Sequence, residues 1–417
     1  MATSKFSAVS GRRSRFPVAR GASPVGILVG LLAMPGTAIA QDWTQANAPS
    51  NQWTSVVCSA DGSKIAAASY GAIYTSDDSG VIWKESSAPS TNWISIASSA
   101  DGVKVFAAVN EGAIYASADS GATWRVTGAP ITNWTSVACS ADGSRTLAVA
   151  SGSLHPYFAK EGLIYTSRDS GTNWMVSSAP TGRWISVASS SDGNKLFAVQ
   201  PFGICTSSDS GGTWAVTNVA GYTASVACSA AGSTLLLGCA DPFHMPYGGC
   251  LLVSTNGGLN WETCNAGTTG RGSVACSADG RTLIGAGGPS TRGASVDVIQ
   301  TSTDSGVTWT AADAPPMSWT SVASSADGSK LVAVHVGGGI WTAQSMPSPK
   351  LNIDRYGSSL VISWIVPSMH FALQQNSESN TTNWTDVPAT PTLNYMHLQH
   401  EVSVPTSSAY RFYRLKR

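Results

Sequence analysis

The chain has 417 residues, carries 24 Lys and Arg against 24 Asp and Glu, and is charged at only 12% of its positions. That balance argues against recognition of nucleic acid through a basic face and against electrostatic steering toward an acidic partner. With 42 Gly, 15 Trp and 42% apolar residues, the composition also excludes a disordered chain and suits a many-stranded β protein rich in tight turns.

Residues 1–40 read as a signal peptide. Arg12, Arg13, Arg15 and Arg20 form a basic stretch, residues 25–33 are apolar, and Ala38-Ile39-Ala40 supplies the small residues of a cleavage site. The expected mature chain starts at Gln41 and is exported to the periplasm, the cell surface or the medium. The apolar run is too short to span a bilayer, and no later stretch approaches the required length, so no transmembrane segment is expected.

From residue 76 an octet, Ser-x-Asp-x-Gly-x-x-Trp, returns six times. It reads SDDSGVIW at 76–83, SADSGATW at 117–124, SRDSGTNW at 167–174, SSDSGGTW at 207–214, STNGGLNW at 254–261 and STDSGVTW at 302–309. A period of 40–50 residues between its tryptophans means a radial or solenoid array. Each repeat holds four β segments. The first begins at a Trp, as in Trp134-Thr-Ser-Val-Ala-Cys139, and alternates apolar and polar residues as a pleated strand does. An Asp-Gly turn such as Asp61-Gly62 or Asp142-Gly143 then reverses the chain, because Gly tolerates positive φ. A second strand, a third of the type G-x-I-Y-T-S, the octet turn and a fourth strand complete the unit. Four antiparallel strands at this period describe a propeller blade.

The two ends of the array complement each other. Residues 43–49 match a fourth strand and linker with nothing before them, whereas 319–344 supply three strands and no octet. The expected fold is therefore all-β: a seven-bladed β-propeller over 41–345, closed by its N-terminal strand. Beyond Pro347-Ser-Pro349, residues 346–417 alternate like strands near 360–366, 371–375 and 411–415, with Trp364 and Trp384 available for a core. They read as a small β-sandwich-like accessory module.

The octet resembles the Asp-box of BNR-repeat propellers, found in sialidases, sortilin-like receptors, secreted xyloglucanases and Hcf136-like photosystem II assembly factors. The resemblance covers about 42–344. It implies a structural role for Asp78, Asp119, Asp169, Asp209, Asn256 and Asp304, whose side chains hold the turn, while the Trp packs between strands. It implies little about activity, since unrelated functions share the fold.

Chemistry, if it sits on the propeller, is expected in three enlarged connections between second and third strands, because loops on a rigid scaffold carry function. Residues 151–161 hold His155 and Tyr157, 241–249 hold Phe243, His244 and Tyr247, and 287–297 hold Arg292. The Trp that opens a repeat (Trp53, Trp93, Trp134, Trp184, Trp319) becomes Thr223 and Arg271 in two repeats, which adds Arg271 to the ligand-binding candidates. These tryptophans read as packing between blades, or alternatively as an aromatic rim for a ligand. His155 and His244 lie in different loops, so no metal is assigned; no cofactor and no catalytic residue is assigned either. Of the eight cysteines, Cys58, Cys139, Cys228 and Cys276 share one repeat position with Ser98, Ser189 and Ser324, a small position in a crowded place. Cys239 and Cys250 would bridge the base of the 241–249 loop.

These features point to a monomeric, non-catalytic binding or assembly propeller that recognises a protein or polysaccharide through its loop face. A sialidase-like glycoside hydrolase is the alternative. The arginine signature of that family is absent, however, and only Glu161, Asp241 and Asp297 stand where a carboxylate pair would be needed. A photosystem-type assembly factor is a second alternative, resting on the repeat alone.

Overall fold

A computed structural model describes residues 42–152, 162–219, 221–240, 249–264, 266, 272–287, 298–345, 351–366, 371–377, 383–405 and 411–416. Among them every regular element is a β-strand, and every strand pairing is antiparallel. Five four-stranded sheets follow one another over 93–126, 134–176, 186–218, 222–263 and 274–311, each built from sequential neighbours. An eight-stranded sheet joins the two ends of the array. One half holds strands Asn51–Cys58, Ile65–Ser69, Ile73–Ser76 and Lys84–Glu85; the other holds Trp319–Ser324, Lys330–Gly338 and Ile340–Gln344. The strand Trp43–Gln45 pairs with Ile340–Gln344, Trp43 opposite Ala343 and Gln45 opposite Trp341.

Three sets of hydrogen bonds run from repeat to repeat. The first is a backbone cycle at the Asp-Gly turns. The amides of Ala60, Ala100, Ala141, Ser191, Ala230, Ala278 and Ala326 each donate to the carbonyl of the next member at 2.7–2.9 Å, and Ala326 returns to Ala60. In the second, a first-strand serine accepts from the following sheet: Ile96 N donates to Ser55 Oγ, Val137 N to Ser95 Oγ, and Val56 N to Ser321 Oγ. In the third, Thr54, Thr135 and Thr320 hydroxyls donate to the carbonyls of Trp93, Trp184 and Trp53 in the next repeat. These threonines sit in register shifts just after the opening Trp, where an extra residue frees the side chain to reach across.

Apolar cores lie between neighbouring sheets. Trp53, Val56, Ile65 and Ala67 of the first pack against Val332, Val334 and Ile340 of the last. The opening tryptophans Trp53, Trp93, Trp134, Trp184 and Trp319 are all fully buried, so packing between sheets is their role and a ligand-stacking rim is not. At the same position Thr223 is also fully buried and donates its hydroxyl to the Gln200 carbonyl.

The Asp-Gly turns need Gly twice over. Gly102 has φ +67°, and a Cβ there would stand 2.8 Å from Lys64 Cβ of the preceding sheet. Gly102→Ala is therefore expected to cost about 1–2 kcal/mol in left-handed backbone strain alone, with the clash added. Gly337, at φ +72° with nothing within 4 Å, isolates the strain. Urea midpoints should fall further for Gly102→Ala than for Gly337→Ala; equal falls would mean that the Lys64 stem simply moves aside.

After residue 350 two further sheets form. One orders strands Asn352–Tyr356, Ser359–Ile365, Gln399–Pro405 and Thr392–Asn394; the other orders Thr385–Asp386, Ala372–Asn376 and Phe412–Lys416. Ile362, Trp364, Leu373 and Val402 fill the core between them. Trp384 is half-buried, with the Arg414 guanidinium 4.4 Å above its ring.

Candidate functional site

The hydrogen bonds assign the turns to faces. Octet amides reach Asp-Gly turn carbonyls of their own repeat, as Ser79 N to Ser63 O and Ser170 N to Ser144 O, so both turns share one face. The connections between second and third strands lie at the opposite ends of the strands. There they pair with the linkers that enter the next repeat, Tyr70 with Asn92 and Gly112 with Thr132.

On the first face the octet is a self-contained knot. Asp78 Oδ1 accepts from the amides of Val81 (3.0 Å) and Ile82 (2.8 Å) and from Ser76 Oγ (2.8 Å), while Ser76 Oγ accepts from Gly80 N. Trp83 Nε1 donates to the Gly80 carbonyl at 3.0 Å. The same scheme recurs at Asp119, Asp169, Asp209 and Asp304, and Asn256 Oδ1 accepts from Asn260 N at 2.9 Å. Hydrogen bonds from Thr123, side chain and then amide, hold Asp119 down to about 2; those from Thr213, amide and then side chain, do the same for Asp209. These carboxylates are ionised, spent on their own turns and spread one per repeat.

The axis of the array is a narrow cavity of about 170 Å³ at the level of the Asp-Gly turns. Cys58, Cys139, Cys228 and Cys276 line it together with Ser98, Ser189 and Ser324. Burial pushes the Cys58, Cys139 and Cys228 thiols up to about 12, so they are protonated and inert at neutral pH. Leu398, from the C-terminal sheets, enters the same cavity. Around it Val366 packs with Ala60 and Ala326, and Ile365, Leu393, Ala100 and Ala278 stand against that cluster. Val366 N donates to the Leu398 carbonyl at 2.9 Å, which pins this corner over the channel mouth. The C-terminal sheets therefore stop the axis from the face that carries the turns. No sequence period links Val366 and Leu398 to the alanines they cover, and sequence reasoning missed this contact.

The strands that flank the connections singled out in the sequence end on the opposite face. His155, Tyr157, Phe243, His244, Tyr247, Arg271 and Arg292 all lie outside the described residues. Their flanking strands are described: Val149 pairs with Ile164, Cys239 with Cys250, and Ala286 with Ile299, in the third, fifth and sixth repeats. Between these stand exposed apolar groups that the repeat pattern gave no reason to single out. Tyr70 and Phe202 in second-to-third-strand connections, Val336 near the end of the strand Lys330–Gly338, and Ile131 in a linker, are each about half exposed or more. Phe202 packs edge-on to Tyr222 at 5.7 Å and holds φ +64°, a backbone value bulky residues seldom adopt. Of the described Glu residues in the array, Glu85, Glu111 and Glu262 lie in three different repeats, and Glu85 accepts from the Tyr74 hydroxyl. Among the described residues no cluster of three or more His, Cys, Asp or Glu side chains could hold a metal ion, and no helix is long and apolar enough to cross a membrane.

Cys239 and Cys250 stand opposite each other on adjacent antiparallel strands. That separation suits a disulfide without backbone movement. Mild oxidation is expected to remove two hydrogens and yield one peptide linking 239 to 250, while Cys58, Cys139, Cys228 and Cys276 resist alkylation until the protein is denatured. Intact-mass and peptide mapping read both; rapid labelling of the axial four in the native protein would contradict their enclosure in the axial cavity.

Sheets of this kind define the class: the fold is a β-propeller. The solved structures it is similar to are propellers as well. Ycf48 from Cyanidioschyzon merolae aligns with a TM-score of 0.55 at 13% identity over 73% of this chain and 99% of that one. A structure of Ycf48 bound to a D1 peptide aligns equally well, at 14% identity over 74% and 98%. The GH74 xyloglucanase from Xanthomonas campestris matches at 0.55 and 15% identity over 78% of this chain but only 59% of its own length. At these identities the likeness concerns the fold alone. No protein-family model and no curated protein sequence matches the chain.

Proposed function

We propose that the chain is an exported recognition module: a seven-bladed propeller, closed by the strand Trp43–Gln45, that holds a segment of a protein partner on the face of its second-to-third-strand connections. Closure is supported by the seven-membered hydrogen-bond cycle at the Asp-Gly turns and by the pairing of the first strand with Ile340–Gln344. The observation that carries the functional reading is the asymmetry between the two faces. The turn face is stopped at the axis by Leu398 and exposes the aliphatic octet groups Val81, Ile82, Leu259 and Val307; the other exposes the aromatic rings of Tyr70 and Phe202 at the strand ends from which the three enlarged loops depart. Exposed apolar groups set on a rigid frame are what a peptide or protein surface docks against. A related fold holding a D1 peptide supports the same use here. The octet acids belong in this reading to folding, as Asp-box residues, and the candidates His155, Tyr157, Phe243, His244, Tyr247, Arg271 and Arg292 would shape the same surface.

Peptides selected on the purified full chain from a random display library provide the test. Their affinities should fall about 10-fold or more for Phe202→Ser or Tyr70→Ser, in proportion to the loss of a central aromatic anchor. Affinities indifferent to both changes would reject the loop face. Turnover of xyloglucan or a sialoside by the purified chain would favour the hydrolase alternative instead.

A further inference from the structure

The C-terminal sheets carry a groove that the propeller reading does not use. It has a volume of about 580 Å³ and is lined by Asn352, Asp354, Tyr356, Val361, Ser363, Asn394, His397, Gln399 and Glu401. The volume falls within the range of sites for small organic ligands, roughly 300–1,000 Å³. Register explains why these side chains meet. Asn352 is opposite Ser363, Ser363 opposite Glu401, and Gln399 opposite Asn394, so strand alternation brings them to one face. The intervening residues Ile353, Ile362, Trp364 and Val402 point into the core on the other face. Such alternation on a solvated sheet ordinarily leaves scattered polar groups; here they converge on one concavity.

We propose that this groove binds a neutral oligosaccharide. Eight of its nine lining residues are polar or aromatic, and Val361 alone is aliphatic. An apolar ligand would strand these groups unpaired. Side-chain amides offer a donor and an acceptor each, as a sugar hydroxyl does, so Asn352 and Gln399 match vicinal hydroxyls in either sense. Ser363 is buried at the groove floor. Tyr356 stands 68% exposed at the rim, an aromatic face available to the C–H face of a pyranose.

Part of the surface is preset. Asn394 Nδ2 donates to Glu401 Oε1 at 2.7 Å, and Asn394 Oδ1 accepts from the amides of Met396 (2.9 Å) and His397 (3.3 Å). That engagement bears on ligand charge. No Lys or Arg lines the groove, so phosphate or an acidic sugar lacks a counter-ion. One of the two carboxylates, Glu401, is already tied to an amide, and the amide donors find no acceptor on an ammonium or guanidinium group. A neutral hydroxyl array satisfies donors and acceptors together.

The test uses the full chain and four neutral probes, namely soluble cello-, xylo-, manno- and laminari-oligosaccharides, read by titration calorimetry, with an oligolysine peptide as the charged comparison. Saturable binding of at least one sugar is expected. Tyr356→Ala should weaken it up to about 10-fold, the value of one aromatic contact. The double variant Asp354→Ala, Asn352→Ala should abolish it. Both sites are exposed, so an unchanged melting temperature shows that the variants remain folded. Peptides selected on the propeller face should bind these variants as they bind the parent chain, which separates this site from that one. Binding of none of the four sugars overturns the proposal, as does sugar binding unaffected by either variant. Oligolysine binding lost in the double variant, with no sugar bound, would reassign the groove to basic peptides.

Discussion

Replacing Trp134 by Ala is expected to cost about 3–5 kcal/mol, the usual penalty for deleting a large buried aromatic. The ring is fully buried, lies edge-on to Tyr165 at 5.1 Å, tilts against Trp174 at 6.3 Å and packs with Phe106, Ile114 and Ala148. Among the described residues its indole N–H has no hydrogen-bond partner, so the cost is packing and burial. Trp134→Phe should then be mild, since it removes an unpaired donor along with part of the ring. Trp53 provides the contrast, because its Nε1 donates to the Gly338 carbonyl at 2.8 Å. Trp53→Phe should cost about 1 kcal/mol more than Trp134→Phe, the net worth of one hydrogen bond. Urea unfolding of the three variants measures these differences. Equal costs for the two Phe variants would mean that the Trp53 bond contributes nothing, and a Trp134→Ala loss under about 1 kcal/mol would mean that the pocket collapses around it.

What could be read from the sequence was what is local or repeated. The Ser, Asp and Trp side chains of the octet make their turn bonds within eight residues, from Ser76 to Trp83 or Ser302 to Trp309, so residue types at fixed spacing suffice to recognise it. The all-β class follows from four strands recurring between such turns. The hydrogen-bond cycle was invisible for the opposite reason: it is made by backbone groups of Ala60, Ala100 and their equivalents, whose side chains carry no trace of it. The Cys and Ser position read as small and crowded because it faces the axis, a fact that only the assembled array reveals. The polar groove escaped because its members come from four strands of a non-repeating segment, where no period marks the face they share. The enlarged loops depart from the repeat, so the repeat offers no template for the placement of His155, His244 or Arg292.

Acid is expected to unfold the array in two separable steps, and the sign follows from which state binds the proton. Asp78, Asp119, Asp169, Asp209 and Asp304 are all held below the ordinary carboxylate value of about 3.9 by hydrogen bonds within their octets. Between that value and the folded one, about 2 for Asp119 and Asp209, the unfolded chain takes up protons that the folded chain refuses. The stabilisation is therefore complete above about pH 4–5 and lost as pH falls toward about 2. His335 acts earlier. Burial, with its ring edge-on to Trp319 at 5.6 Å, lowers its pKa, so the folded state keeps it neutral while the unfolded state protonates below about 6.5. Melting temperature should thus decline gently from about pH 6.5 and then steeply below about pH 4, the five octet acids, joined by Asp142 and Asp192 of the Asp-Gly turns, outweighing one imidazole. The fifth repeat supplies the control, because Asn256 accepts the same amide bond without a titratable group. Asp119→Asn together with Asp209→Asn should flatten the steep limb and leave the gentle one, whereas His335→Gln should do the reverse. A steep limb unchanged in the Asn variants would place acid sensitivity in groups other than Asp119 and Asp209.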